Sequence, residues 1–143
     1  EVHFVSGVAL NEKPILNCDT ARTLREWVDR GAQPSVRSLN ARITNLRVVS
    51  HYSCRTRNSQ PGARLSEHSK GNAIDIAGFT LDNGNVVSVL EHWRSNKYGP
   101  ALRKMYSKAC GTFGTTLGPN ADRFHQDHMH FDTASYRSGA YCQ

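Results

Sequence analysis

No run of apolar residues approaches the ~18–20 that a membrane-crossing helix needs, so the sequence offers no bilayer span. No CxxC or CxxxC pair occurs, which removes zinc ribbons and dithiol redox motifs. No block of like charge stands out either. The 18 Lys and Arg outweigh 12 Asp and Glu to give +6, but they are scattered along the chain. A nucleic-acid partner is therefore not expected, and a pI near 9.4 licenses only general attraction to anionic polymers. Repeats, low-complexity tracts and linkers are missing, so 1–143 reads as one domain with its own core. The chain starts at Glu1 without methionine, and a mature or trimmed product is the expectation.

Four cysteines are present, Cys18, Cys54, Cys110 and Cys142. Their even number and wide spacing favour two disulfides and a periplasmic or secreted location, against the alternative of four reduced buried thiols. Three pairings are possible, and spacing does not choose among them.

Glu1 to Leu16 reads as an irregular lead-in. Helix signals begin at Asn17 to Asp19, with Ala21, Leu24, Trp27 and Val28 forming an apolar stripe that Gly31 closes. Val36 to Ser53 is rich in β-branched residues and predicts one or two strands. Asn72 to Leu81 predicts a further strand, and Asp82-Asn83-Gly84-Asn85 turns it into a return strand carrying Val86, Val87 and Val89. Pro100 opens a second helix that Gly111 ends, and Gly111 to Pro119 reads as a loop. The expected class is α+β, a small antiparallel sheet flanked by helices and carrying a metal site.

Two clusters carry the chemistry. The first is Ser66-Glu67-His68-Ser69-Lys70-Gly71-Asn72-Ala73-Ile74-Asp75. His68 and Asp75 are seven apart with a glycine between them, which excludes the i, i+4 pair of a helical zinc motif and requires a loop entering a strand. Asp75 is the one charge in an apolar strand. Burying even a neutral polar group without a partner costs on the order of 2–7 kcal/mol, and a bound cation would offset the larger cost of a carboxylate. The second cluster is Asp127-His128-Met129-His130-Phe131-Asp132, where strand periodicity puts His128, His130 and Asp132 on one face. Asp127 faces away unless the backbone bends.

A catalytic zinc commonly takes three protein ligands and leaves a fourth position for water. His68, Asp75 and His130 meet that requirement. Such a metal acidifies water from a pKa of 15.7 to about 7 and polarises a carbonyl. Asp127 is the candidate general base, and His128 either bonds the tetrahedral intermediate or orients the base. Ser66 is either a supporting hydrogen-bond partner or an ordinary turn residue. Glu67 reads as an exposed loop carboxylate, and His125 as a surface residue in preference to a fourth ligand.

The pattern Ser-x-His-x-x-Gly-x-x-x-Asp followed by Asp-His-x-His resembles the D-alanyl-D-alanine metallopeptidases, which share a fold with lysostaphin-type enzymes and hedgehog domains. The resemblance is closer to the bacterial extensin-like C-terminal family. It is carried by Leu65-Ser66-Glu67-His68, by Asn72 to Phe79, by Gly111-Thr112-Phe113-Gly114-Thr115 with Leu117-Gly118-Pro119, and by His125 to Asp132. It runs from about Cys18 to Cys142. It implies zinc on His68, Asp75 and His130, Asp127 as base, and an upstream arginine that binds a substrate carboxylate or steadies the oxyanion. Relatives often carry Ser-Gly-Tyr-Arg. Here Ser50-His51-Tyr52-Ser53-Cys54-Arg55 has His51 for the glycine and two residues inserted, leaving Arg55 as the best match and Arg64 as the reserve.

The expected function is a zinc peptidase acting on peptide cross-links or stem peptides of peptidoglycan, with endopeptidase favoured over carboxypeptidase. The alternative is a zinc-stabilised wall-binding module without turnover. A zinc nuclease is disfavoured because no second ligand set is present. Oligomeric state is not legible.

Overall fold

The computed structural model describes residues 1–51, 66–135 and 137–143. An eight-stranded sheet forms its frame. The strands are β1 (Phe4–Val5), β2 (Val8–Leu10), β3 (Ile43–Ser50), β4 (Ala73–Leu81), β5 (Val86–Ser88), β6 (Thr115–Leu117), β7 (Met129–Asp132) and β8 (Tyr141–Cys142). Their order is β1-β2-β3-β4-β7-β6-β8, with β5 also on β4. The sheet is mixed, which corrects the antiparallel expectation: β2 runs parallel to β3, and β8 parallel to β6.

Helix α1 (Cys18–Trp27) starts where the sequence places it, with the Asn17 side chain accepting from Thr20 N–H at 2.8 Å. Gly31 does not close it. The chain continues through a π-turn, Val28–Ala32, into α2 (Gln33–Ser35). A Cβ on Gly31 would lie 2.8 Å from the Trp27 ring, so the glycine serves close packing instead of termination. A short α3 (Val89–His92) begins at Val89, which therefore leaves the return strand. Ser88 caps it by accepting from Glu91 N–H. Helix α4 spans Gly99–Ala109 with Pro100 in its first turn.

Four strands, β1, β2, β6 and β8, escape the sequence pattern. β1 and β2 form a hairpin in the supposed lead-in, turned by Ser6 (φ 47°) and Gly7 (φ 78°). β6 lies inside the supposed Gly111 to Pro119 loop. All four are two or three residues long, too short to establish a period of two.

One face of the sheet is apolar. Ile74 pairs with Phe131 and Ile76 with Met129, all fully buried. Trp27 meets Phe131 edge-on at 5.0 Å, and its Nε1–H donates to the Met105 carbonyl at 2.8 Å, tying α1 to α4 over the core. Because alternation sends neighbours to opposite faces, Asp75 and His130, paired in register, point the other way. The sheet edge beyond β2 is finished by a side chain. Asn11 Nδ2 donates to the Val48 carbonyl at 3.2 Å, and Asn11 Oδ1 accepts from Val48 N–H.

Of the four cysteines, Cys110 and Cys142 form a disulfide that holds β8 to the end of α4. Cys18 is exposed and has no disulfide partner among the described residues. Cys54 lies outside them.

Candidate metal centre

His68 sits on a single 3₁₀ turn, Glu67–Lys70. Ser66 starts the turn by accepting from His68 N–H at 3.1 Å, and Gly71 ends it in the left-handed region at φ 71°. Ser66 thus has the turn-forming role. The turn delivers His68 beside the first residues of β4. Asp75 follows on β4, with His130 opposite it on β7.

The three side chains converge. His68 Nε2 is 3.2 Å and His130 Nδ1 2.9 Å from Asp75 Oδ1. One donor atom from each lies within 4.8 Å of the others, and all three residues are buried. A nitrogen, oxygen, nitrogen set of this kind could hold a metal ion.

Each histidine is oriented from behind. His68 Nδ1 is 2.7 Å from the His51 carbonyl, so that nitrogen carries the proton and Nε2 is left for a ligand. His130 Nε2 is 2.7 Å from Asp132 Oδ2, which leaves Nδ1 instead. The sequence assigns no metal-site role to His51 or Asp132. The His51 contribution is a main-chain carbonyl and leaves no residue-type signal, whereas Asp132 was already visible on the face shared with His130.

The charged side chains of the centre shift one another's protonation. Burial alone would raise Asp75, but hydrogen bonds from His130 and His68, together with their charge, hold its carboxyl well below the usual carboxylate range. Burial alone would lower His130. Hydrogen bonds to Asp132 and Asp75 and the charge of both carboxylates override it and lift the imidazole to about 9. The His130 ring thus lies between two buried carboxylates, Asp75 and Asp132.

The backbone bends at Gln126 and Asp127, ahead of β7. Asp127 therefore does not follow strand alternation. Its exposed carboxylate accepts from His128 Nδ1 at 2.8 Å, and His128 Nε2 lies 3.6 Å from Asp75 Oδ2. Asp127 and His128 line a cleft of about 430 Å³ that opens on Asp75, and Arg47, Ser50, Ser88, Leu90 and Glu91 form its other walls. Arg55 and Arg64, the arginines singled out from sequence, lie outside the described residues. Arg47 is a cleft arginine that the sequence reading missed. It stands on the same face of β3 as Val49, in a strand where alternate residues are exposed.

Two readings are corrected. His125 is buried, not superficial. It is 2.6 Å from Asp122 Oδ1, with its ring 5.1 Å from that of His128 and 5.9 Å from that of His130. Burial pushes its pKa down, outweighing the Asp122 contact. Glu67 is half-buried and paired with Lys70 at 3.4 Å, not a free loop carboxylate.

The family model described as the extensin-like protein C-terminus matches residues 1–143. The chain belongs to that family. No curated protein and no solved structure matches it. Within this extensin-like domain the matched span takes in both clusters and the Cys110–Cys142 disulfide. That disulfide is compatible with an extracellular location, and among the described residues no helix is long and apolar enough to cross a membrane.

Proposed function

We propose that this domain is a zinc-dependent hydrolase of peptidoglycan peptides in the periplasm or outside the cell, related in mechanism to the D-alanyl-D-alanine metallopeptidases. The observation that carries the reading is a buried three-donor centre reached through a cleft whose rim holds an exposed carboxylate. His68 Nε2, an Asp75 carboxylate oxygen and His130 Nδ1 are the atoms that would hold zinc. Bound zinc supplies a Lewis acid for the scissile carbonyl and an acidified water.

The chain's own groups do the rest. Asp127 would take a proton, a role supported by its position on the cleft and its hydrogen bond from His128. His128, between Asp127 and Asp75, would donate toward negative charge that develops on a substrate oxygen. Arg47 gives the cleft a planar donor suited to a substrate carboxylate, the role otherwise assigned to Arg55 or Arg64. The cleft walls come from β3, β4, α3 and the segment before β7, and endopeptidase action is the reading we favour over an enzyme limited to a free terminus.

The test is digestion of defined cross-linked muropeptides, read by mass spectrometry, with and without chelator. Metal-dependent cleavage products are expected. Asp127→Ala should retain metal content and lower turnover by roughly 10²–10⁴-fold, the usual contribution of a general base. Metal bound without any product from wall substrates would overturn the hydrolase reading in favour of a zinc-stabilised wall-binding module.

A further inference from the structure

We infer that Asp132 is the positioning residue that makes His130 a metal ligand through Nδ1, an assignment that rests on the metal centre proposed above. An imidazole has two nitrogens, and the one that keeps its proton is set by the acceptor it meets. At His130 the acceptor is Asp132 Oδ2, 2.7 Å from Nε2. Nδ1 is 2.9 Å from Asp75 Oδ1, so both nitrogens meet a carboxylate, but only Asp75 is shared with His68: a metal held there would displace the Nδ1 proton, while Asp132 keeps the one on Nε2. His68 is arranged the opposite way, with the His51 carbonyl on Nδ1 and Nε2 turned to the centre.

The carboxylate itself is immobilised. Asp132 is 3 % exposed, and its ionic partner among the described residues is His130. Its other oxygen accepts from Ala134 N–H at 3.1 Å, and its carbonyl accepts from Gly114 N–H at 2.8 Å. Gly114 is pressed so closely on this turn that a Cβ there would lie 1.7 Å from the Ala134 oxygen. The Gly111 to Thr115 stretch, to which no chemical role attached in the sequence, thus braces the turn that holds Asp132. The second charge also matters. Asp75 and Asp132 together match a dication, so Asp132 raises the affinity of the centre without touching the metal.

The test measures metal binding and not turnover. Wild type and Asp132→Asn are stripped and titrated with zinc, then loaded with cobalt(II) for absorption spectra. Asn keeps the shape but loses the charge, and an affinity drop of about 10–100-fold with a shifted cobalt spectrum is expected. Affinity within about threefold of wild type overturns the inference, as does an affinity loss with an unchanged cobalt spectrum, which marks a structural role only. An independent readout needs no variant. Long-range proton–nitrogen NMR of the zinc-loaded wild type should place the proton on Nε2 of His130 and on Nδ1 of His68. The opposite tautomer at His130 overturns the assignment. A wild type that takes up no metal removes the centre itself, whereas normal uptake with an indifferent Asp132→Asn removes this inference alone.

Discussion

Asp75 is the residue on which the centre turns, since His68, His128 and His130 all approach its two oxygens. Asp75→Asn should therefore abolish tight zinc binding, checked by metal content after dialysis. The metal-free protein should have a distinctive pH response. His130 has its folded pKa raised from 6.5 to about 9, so its proton stabilises the fold fully below about pH 6.5. That contribution fades as pH rises through about 9. Denaturant titrations in chelator should show stability falling across this window, and His130→Asn should flatten the slope. Zinc uptake should run the other way, improving as pH rises, because a ligand nitrogen must give up its proton. Asp75 acts at the acid end. Its depressed pKa adds stability above about pH 3.8 that is lost as pH falls further.

At the scale of elements, glycines mark where strands and turns press together. Gly78 of β4 lies under β5, where a Cβ would sit 2.1 Å from the Val87 oxygen, and Gly114 meets Ala134 in the same way. Gly114→Ala should destabilise by about 1–3 kcal/mol or more through a backbone shift, read as a lowered thermal midpoint. It should also weaken zinc binding, because the displaced turn carries Asp132. The sequence made the longer elements legible. The Asn83-Gly84 turn and the apolar run of β4 announce themselves, and Asn17 caps α1 where expected. β1, β2 and β6 were hidden because strands this short owe their existence to their neighbours, not to their own pattern. The site divides similarly. His68, Asp75 and His130 are legible because a metal demands those residue types. The burial of His125 and the His51 acceptor are products of tertiary packing and leave no trace in residue order.

For the whole molecule, the Cys110–Cys142 disulfide spans 32 residues and encloses β6, β7 and the cluster that bears the proposed base and one proposed ligand. Closing a loop of that length removes unfolded-state entropy worth about 3–4 kcal/mol, so a Cys110→Ser, Cys142→Ser protein should melt many degrees lower. The opposite border of the sheet is governed by much less. There, one amide, that of Asn11, takes both the donor and the acceptor that Val48 presents beyond the end of β2. With those groups filled, Val48 offers no free main-chain group on which a neighbouring molecule could continue the ladder at that point of β3. Asn11→Ala would reopen it. The variant should self-associate as its concentration rises, in sedimentation or light scattering, while the metal centre keeps its affinity.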